Sequence, residues 1–286
     1  MPELPEVETI RRGLEPYVLN RRIDEVAVFG ARTVRRQAGG AGEFIARVTG
    51  REIVGTGRRG KFLWLVLDDA SALAVHLGMS GQFRVGDLDS PLHKHTRARF
   101  RLSGENGAQT VLDFRDQRTF GWLHADELVS AGKNSEPVPA IAEHIAFDLL
   151  DPNLNILKLA HRMQRSRSAV KRLLLNQEVV SGIGNIYADE MLWLAKVNGE
   201  APAAELSTRT LTKLLRSGIE VLNQAIAAGG TSFDSLYVNV NGSSGYFSRS
   251  LNAYGQAGKP CARCGTAIVR QKFMNRSSYI CPRCQS

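Results

Sequence analysis

The sequence predicts an α+β protein in three modules: an N-terminal antiparallel β-sandwich that carries one helix, a helical domain, and a small C-terminal metal-binding hairpin. Three observations support this fold class. Short strand-like runs dominate residues 1–130, apolar residues at helical spacing dominate residues 140–228, and all four cysteines fall within residues 261–284. We place the boundaries of the domains and of the connector at residues 1–132, 133–230, 231–258 and 259–286.

Residues 5–19 are predicted to form the first helix. Apolar residues recur at helical spacing at Val7, Ile10 and Leu14, while charged side chains occupy the opposite face. Pro5 suits the first turn of a helix, and the neighbouring glutamates offset the positive end of the helix dipole. The start of the chain therefore has a simple structural interpretation, as the beginning of an amphipathic helix.

The same stretch also has a chemical interpretation. Removal of Met1 would make the secondary amine of Pro2 the first atom of the protein. An α-amine titrates at about 7.7 to 8.0, so a fraction of it is neutral and nucleophilic near pH 7. Glu3 is the adjacent acid and would transfer protons for such an amine. The residues alone leave both interpretations open.

Eight short runs rich in β-branched and aromatic residues follow this helix, and turns rich in Gly, Asp and Asn separate them. Many short strands at modest spacing favour an antiparallel sandwich. The predicted strands are residues 23–29, 52–57, 62–67, 72–76, 82–85, 98–102, 111–115 and 121–125.

The second half of the chain has a helical pattern. Residues 130–139 lose the apolar periodicity and gain Pro, Gly and Ser, which predicts a linker. A Gly- and Ser-rich stretch at residues 229–258 then leads into the C-terminal module. Between these two segments, apolar residues at spacings of three and four predict helices at residues 156–163, 170–175, 186–194 and 211–226.

The turn before the third of these helices has the composition of an anion site. Gly182 and Gly184 would allow a backbone to approach a phosphate closely, and Asn185 would begin the next helix, where free N–H groups attract anions. An ordinary glycine turn with an Asn cap is the alternative interpretation. Basic residues just upstream favour the anion: Arg165, Arg167, Lys171 and Arg172.

The distribution of charge indicates a polyanionic partner. The net charge is +9, the pI is about 9.6, and residues 259–286 alone carry six cations and no acid. Such concentration favours nucleic acid over a diffusely charged surface. No apolar run approaches the 18 or so residues of a membrane span, and the start lacks the features of a secretory signal. We therefore expect a cytoplasmic protein that makes no membrane contact.

The cysteines form two CxxC pairs, separated by sixteen residues. This spacing predicts a zinc site on a small hairpin, because each short knuckle supplies two of the four thiolates that tetrahedral Zn²⁺ requires. Two disulfides are the alternative, which a cytosolic setting disfavours. A shell of four thiolates leaves no position for substrate, so the predicted Zn²⁺ is structural. Its ligands are Cys261, Cys264, Cys281 and Cys284.

Three loops of the predicted sandwich have unusual contents. Residues 57–61, GRRGK, set three cations among two glycines, which suits either a phosphate grip or an exposed hairpin turn. Residues 76–81, HLGMSG, put a Met on a glycine-rich turn, and residues 114–121, FRDQRTFG, mix cations with aromatic side chains. Core or hairpin packing would explain each loop separately. Together, a Met and a Phe beside an Arg suit a protein that pushes a base out of a duplex.

Several motifs, taken together, identify a known family. The chain contains PELPEVE, GRRGK, HLGMSG, FRDQRTFG, SGIGNIYADE and two CxxC pairs enclosing NRSSYIC. In this order, and from end to end, they resemble the bacterial formamidopyrimidine-DNA glycosylases. LPEVE and HLGMSG are more similar to this branch than to the related endonuclease VIII branch.

The resemblance implies a base-excision repair enzyme, a DNA glycosylase and abasic-site lyase. Such an enzyme removes 8-oxoguanine and formamidopyrimidines from double-stranded DNA by base flipping. The residue that matches the family's nucleophile is Pro2, which would form a Schiff base at C1′ before β,δ-elimination, with Glu3 passing protons. Lys61 matches a catalytic lysine that holds a phosphate near the lesion, and Glu6 matches a residue of the lesion pocket.

The resemblance also implies which side chains bind DNA. Met79, Arg118 and Phe120 would enter the gap left by the flipped base, and Arg118 would read the estranged cytosine. Asn185, in a helix-two-turn-helix motif, and Arg276, in a zinc finger, would bind phosphates. His76 is a further residue of the implied DNA-binding set. The full set is His76, Met79, Arg118, Phe120, Asn185 and Arg276.

A loop that caps the lesion is implied within residues 232–245. Asp234 stands where family members often carry Lys or Arg, which affects the expected lesion preference and not the reaction. The resemblance further implies a monomer with one structural Zn²⁺, associated with the nucleoid.

Two other functions compete with this one. In the first, the protein binds DNA without catalysis, and its N-terminus is only a helix cap. In the second, the same fold acts on oxidised pyrimidines. Covalent trapping through the amine of Pro2 separates the first alternative from the enzyme, and the choice of damaged base separates the second.

Overall fold

A computed structural model describes residues 2–104, 107–130, 136–231 and 250–285. The chain divides into two compact units. The first unit comprises Met1–His144 with Gly229–Gly245, and the second comprises Ile145–Ala228 with Tyr246–Ser286. No helix in the described ranges has the length and apolar character that crossing a membrane requires.

The first unit opens with helix α1, Leu4–Val18. Its apolar face, Val7, Ile10 and Leu14, is almost completely buried, and each such side chain contributes about 1.5–3 kcal/mol by leaving water. A second helix, α2 at Gly40–Val48, places Phe44 edge to face against Phe100, with 6.4 Å between ring centroids. The sequence did not predict α2, because glycines at its start weaken the helical signal.

Nine strands form one antiparallel sheet in the described part of the first unit, in the order β5-β7-β6-β1-β2-β3-β4-β8-β9. Phe83 in β5 and Leu123 in β8, from distant parts of the sheet, belong to one core cluster. The sheet therefore folds over, and its two halves form the layers of the predicted sandwich. The strands are β1 Arg21–Val28, β2 Glu52–Arg59, β3 Phe62–Leu67, β4 Ser71–His76, β5 Gly81–Gly86, β6 Thr96–Gly104, β7 Gln109–Asp116, β8 Trp122–Val129 and β9 Val138–Pro139.

The eight predicted strands are confirmed, and β9 corrects the predicted linker. Val138 and Pro139 pair with Val129 and Leu128 of β8, and Val138 is buried beside Trp64 and Ala72. The end of the linker is thus an edge strand, where a proline is tolerated because its missing N–H faces away from the ladder. Residues 131–135 lie outside the described ranges.

The described part of the second unit contains four α-helices: α3 Ile156–Gln164, α4 Val170–Leu175, α5 Asn185–Ala195 and α6 Thr208–Ala227. All four helices predicted from periodicity are confirmed. Asn155 and Ser207 cap the starts of α3 and α6, because their side chains accept the N–H groups of Lys158 and Thr210. A two-stranded hairpin, β10 Val269–Phe273 and β11 Arg276–Ile280, completes the unit.

Candidate active site and nucleic-acid interface

The start of α1 is a buried, hydrogen-bonded structure. Glu3 and Glu6 bind each other's backbone at the start of the helix. The side chain of Glu3 accepts the N–H of Glu6, and Oε2 of Glu6 accepts the N–H of Glu3 at 2.9 Å. This reciprocal pair is a capping box. Pro2, Glu3 and Glu6 are all buried. The predicted helix start is confirmed, and Pro2 directly precedes this pair of acids in the chain.

Glu6 also anchors a distant segment of the same unit. Its Oε1 accepts both the backbone N–H and the hydroxyl of Thr231, each at 2.8 Å. Thr231 directly precedes residues 232–249, which lie outside the described ranges together with the predicted capping loop and Asp234. Glu6 therefore fixes the point from which that segment starts.

The GRRGK turn joins β2 to β3 and is not exposed. Arg59 and Lys61 are 6% and 8% exposed, so the interpretation as an exposed hairpin turn is wrong. Gly60 takes a φ of 57°, the left-handed conformation that favours glycine. Lys61 is thereby held in a buried position immediately after the turn.

Glu8 links this turn to α1. Its carboxylate accepts hydrogen bonds from Arg11, Arg12 and Arg58, with 3.0 Å between Oε2 and Nε of Arg58. Burial raises the pKa of Glu8, but the hydrogen bond from Arg11 and the charges of Arg58 and Arg11 outweigh it and lower the pKa to about 2. Glu8 therefore stays ionised at neutral pH and stabilises the arginine cluster, so it is not a proton donor.

Two turns of the sheet present the side chains predicted to enter the duplex. Met79 is 37% exposed and Phe120 is 43% exposed, so the interpretation of these two residues as core packing is wrong. The guanidinium of Arg118 lies 5.6 Å from the ring centroid of Phe120, within cation–π range. The structure thus brings all three side chains to neighbouring exposed turns.

These two turns are in close contact. Gly78 has a φ of +62°, and a Cβ added to it would lie 2.5 Å from the carbonyl carbon of Phe120 and from the nitrogen of Gly121. Only glycine fits there. We refer to residues 77–81 as the Met79 turn and to residues 116–121 as the Arg118 turn.

His76 supports the Met79 turn. Its Nδ1 accepts the N–H of Gly78 at 3.1 Å, and its ring stacks on Trp122 with 5.7 Å between centroids. Burial, followed by the charges of Lys61, Arg35 and Arg36, lowers the pKa of His76 to about 4. His76 is therefore neutral at pH 7, and its assignment as a DNA-binding residue stays a prediction.

In the second unit, Gln177 holds the turn before α5. Its Nε2 donates to the carbonyls of Leu175 and Ile183 at 3.0 Å, and its Oε1 accepts the N–H of Gly182 at 2.9 Å. Gly182 has a φ of +85°. The sequence prediction missed Gln177, because a glutamine in a turn gives no local signal.

Asn185 begins α5 and contacts the C-terminal hairpin. Its Nδ2 donates to the carbonyl of Ser277 at 2.7 Å, and Ser277 follows Arg276 in β11. Arg276 and Arg172 both line a cavity of about 520 Å³ that Asn176 and Met274 also line. Two guanidinium groups that line one cavity suit an anion such as a phosphate.

Lys171 corrects one sequence expectation. It is completely buried, and its Nζ lies 2.6 Å from Oδ1 of Asp189 and 2.8 Å from Oγ of Ser278. Asp189 also accepts the N–H of Tyr279 at 3.0 Å. Lys171 is therefore an internal link between α4, α5 and the hairpin, and it does not belong to the surface cations that would meet a phosphate.

The four cysteines converge as predicted. Their sulfur atoms lie within 4.8 Å of one another, and Sγ of Cys264 and Sγ of Cys281 are 3.5 Å apart. Zn–S bonds of about 2.3 Å in a tetrahedron require S···S separations of roughly 3.8 Å. A disulfide would require about 2.05 Å. The donor set fits one structural Zn²⁺, and Trp193 supports it by donating from Nε1 to Sγ of Cys261.

Comparison with known proteins agrees with this arrangement. Residues 1–123 match the formamidopyrimidine-DNA glycosylase N-terminal domain, residues 145–236 match the H2TH domain of the same enzymes, and residues 258–286 match a zinc finger found in FPG and IleRS. The formamidopyrimidine-DNA glycosylase of Corynebacterium efficiens is 54% identical over 292 residues, covering 100% of this chain and 99% of the relative. That of Mycobacterium bovis is 53% identical and covers 100% of this chain and 98% of the relative.

Solved structures give the same result. A Lactococcus lactis FPG mutant in complex with Fapy-dG DNA superposes with a TM-score of 0.86, at 32% identity and with full coverage of both chains. A MutM complex with DNA containing carbocyclic 8-oxo-G superposes with a TM-score of 0.84, also at 32% identity and full coverage.

The fold and the site therefore define a DNA glycosylase of the helix-two-turn-helix and zinc-finger class. The chain belongs to the formamidopyrimidine-DNA glycosylase family. As a member of it, the protein is a DNA glycosylase and abasic-site lyase of base-excision repair, and the predictions of enzyme class, fold class and cofactor are confirmed.

Proposed function

We propose that the protein removes 8-oxoguanine and formamidopyrimidines from duplex DNA, with Pro2 as the nucleophile. The observation that carries the proposal is the buried start of α1, where Glu3 and Glu6 bind each other beside Pro2. Relatives of the same fold have been crystallised with Fapy-dG, with carbocyclic 8-oxo-G and with abasic-site DNA. We therefore expect the same lesions to bind here.

Once Met1 is removed, the amine of Pro2 attacks C1′ of the flipped nucleotide. A C1′–N bond to Pro2 forms as the bond from C1′ to the damaged base breaks, and the base leaves with a proton. Glu3 gives a proton to the ring oxygen of the sugar as the ring opens, which produces the Schiff base. Loss of a proton from C2′ then expels the 3′ phosphate, and a second elimination expels the 5′ phosphate.

Lys61 and Glu6 complete the proposed catalytic unit. The buried ammonium of Lys61 would bind the phosphate next to the lesion, where low solvent exposure strengthens a charge-assisted hydrogen bond. Glu6 would line the lesion pocket, because it already anchors Thr231 at the start of the predicted capping loop.

DNA binding is proposed to occupy both units. Met79, Arg118 and Phe120 fill the gap left by the flipped nucleotide, whereas Asn185 and Arg276 bind phosphates. Extruding a base costs a few kcal/mol, and the phosphate contacts together with the gap-filling side chains offset that cost. His76, as a further DNA-binding residue, would act from its place beneath the Met79 turn.

We propose the same domain division as the sequence suggested. Residues 1–132 carry the chemistry, residues 133–230 and 259–286 hold the backbone of the DNA, and residues 231–258 cap the lesion. We also propose that the enzyme acts as a monomer in the cytoplasm, at the nucleoid, where its substrate lies.

Borohydride trapping tests the nucleophile. We expect processed protein, shown by intact mass to lack Met1, to form a covalent complex with an 8-oxoguanine:cytosine duplex, and protein that retains Met1 to form none. In Pro2→Gly a primary amine replaces the secondary one, so trapping and base excision should fall by roughly tenfold or more. Pro5→Ala, in the same stretch, is the matched control and should trap normally.

Absence of trapping by processed wild-type protein would refute the lyase mechanism. Equal trapping by Pro2→Gly and wild type would point to another nucleophile. If a duplex containing an oxidised pyrimidine were processed faster than the 8-oxoguanine duplex, the substrate assignment would be wrong even though the chemistry held.

A further inference from the structure

A buried polar pair lies beneath the two exposed turns. Ser80, on the Met79 turn, donates from Oγ to Oδ1 of Asp116, on the Arg118 turn, at 2.5 Å. Ser80 and Asp116 are only 2% and 1% exposed. Burial of a carboxylate is costly unless hydrogen bonds compensate it, so the pair holds a definite geometry.

Each member of the pair also binds the backbone of the Arg118 turn. The N–H of Arg118 donates to Oγ of Ser80 at 2.9 Å, and the N–H of Gly121 donates to Oδ2 of Asp116 at 2.7 Å. Ser80, the residue after Met79, is therefore hydrogen-bonded directly to the backbone of Arg118. A displacement of either turn breaks at least one of these three hydrogen bonds.

The surrounding structure holds the pair in place. Asp116 ends β7 opposite Gly81 of β5, and its carbonyl accepts Nε of Arg97 at 2.9 Å. On the outer side, Arg35 donates to the carbonyls of Phe120 and Gly121 at 2.7 and 2.8 Å. The Arg118 turn is thus restrained from both sides.

The turn has a local reason to need such support. Thr119, between Arg118 and Phe120, has a φ of 54°. A β-branched residue in the left-handed region is strained and persists only where its surroundings impose the conformation. The hydrogen bonds of Ser80, Asp116 and Arg35 supply that constraint, and it directs the side chains of Arg118 and Phe120 outward on the same turn.

We propose that Ser80 and Asp116 are positioning residues that join Met79, Arg118 and Phe120 into one rigid wedge. The pair sets the rate at which a damaged base is extruded and the discrimination between cytosine and adenine opposite the lesion. This inference rests on the proposed function, because it assumes that those three side chains enter the duplex. A loose wedge would still bind DNA but would fill the gap with the wrong geometry.

The test compares Ser80→Ala with Ser71→Ala. Ser71 makes a similar hydrogen bond to Asp69, 2.6 Å long but exposed, at the other end of β4. Single-turnover excision of 8-oxoguanine opposite cytosine should slow at least about tenfold in Ser80→Ala, because the variant loses both hydrogen bonds of the Ser80 hydroxyl. It should not change in Ser71→Ala. The cytosine-to-adenine rate ratio should fall in Ser80→Ala.

Cleavage at a preformed abasic site separates positioning from general damage. An abasic nucleotide has no base to extrude, so Ser80→Ala should cleave it within about twofold of wild type. Asp116→Asn retains one acceptor oxygen, so its rate of 8-oxoguanine excision should lie between those of wild type and Asp116→Ala. If excision and abasic-site cleavage fall equally, together with the melting temperature, the pair is merely structural and the proposal is overturned.

Met79→Ala, measured in parallel, distinguishes failure of the wedge assignment from failure of the positioning role of Ser80. If Met79→Ala excises 8-oxoguanine at the wild-type rate, the wedge assignment in the proposed function fails. If Met79→Ala is slow and Ser80→Ala is not, the wedge stands and the positioning role of Ser80 is wrong. If both are slow, the double variant should lose less than the product of the two single effects, because Ser80 acts through Met79 and Arg118.

Discussion

The two compact units stabilise their functional loops by different means. The described part of the first unit has a core cluster of 24 buried residues, drawn mostly from α1, α2 and eight strands, and its exposed turns rest on that core. Around the cysteine site of the second unit, the core cluster contains five buried residues, two of which are cysteines. A small core supplies little apolar stabilisation, so charges and a metal must hold this part of the chain.

Helix α5 shows how the hairpin region of the second unit compensates for its small core. Asn185 and Asp189, one turn apart, bind the hairpin strand β11 through the backbone of Ser277 and Tyr279. Glu190 accepts three successive N–H groups from Asn252 to Tyr254. The exposed turns of the first unit therefore rest on a large apolar core, whereas the hairpin region of the second unit depends on its polar and metal links.

Removal of the metal should have the largest effect on the second unit. Structural Zn²⁺ contributes on the order of 10–16 kcal/mol to small zinc-finger peptides, so chelation should unfold the hairpin region and abolish specific duplex binding. Hydrogen exchange should increase in residues 258–285 and stay slow in β3 of the first unit. Restoring Zn²⁺ should restore both protection and binding. An apoprotein that keeps wild-type affinity for duplex DNA would show that the metal is dispensable.

The buried ion pair should have the next largest effect. Lys171→Met leaves Asp189 charged and without its partner in the interior, which typically costs about 3–5 kcal/mol. We expect a lower free energy of unfolding and weaker DNA binding, since β11 loses the contact that fixes the strand carrying Arg276. Urea denaturation and a duplex titration measure the two effects. Lys213→Met, on the exposed face of α6, is the control.

A second variant separates charge from packing at this pair. Removing both charges in Lys171→Met/Asp189→Leu should recover part of the stability, because no isolated charge remains buried. It should not recover the hydrogen bonds to Ser278 and Tyr279. If Lys171→Met alone is as stable as wild type, the hairpin region of the second unit does not depend on this ion pair. The contrast drawn with the first unit would then be wrong for this ion pair.

The sequence predicted most elements of both units because their periodicity is local. The boundaries of β3, Phe62–Leu67, and of α4, Val170–Leu175, agree residue for residue. Helix α2 escaped because its helical state depends on the packing of Phe44 against Phe100, and not on the propensities of Gly40 and Gly42.

The site was predictable to a similar extent. The four cysteines and the two exposed turns followed from motifs, but the partners of Lys171 did not. Asp189 and Ser278 lie 18 and 107 residues away from it in the sequence. No local sequence pattern indicates such a pair. A lysine among three other cations is predicted to lie at the surface, and only the tertiary structure shows that it is buried.

The smallest expected effect is the pH dependence that Glu8 gives to the first unit. The pKa of Glu8 is lowered from 4.5 to about 2 in the folded protein. A lowered pKa means that the unfolded state binds the proton more readily. The contribution to stability is therefore complete above about pH 4.5 and is lost as the pH falls from there towards 2.

Glu8→Gln measures this contribution. At pH 7 we expect the variant to be less stable by about 1–2 kcal/mol, after allowance for solvent screening around the arginines. The difference should shrink below pH 4.5 and vanish near pH 2. Glu25→Gln is the control, because Glu25 makes an exposed ion pair with Arg101 at 3.0 Å and should change little at any pH. A constant difference in stability between Glu8→Gln and wild type from pH 7 to 2.5 would show that packing, and not the ionised carboxylate, links α1 to the GRRGK turn.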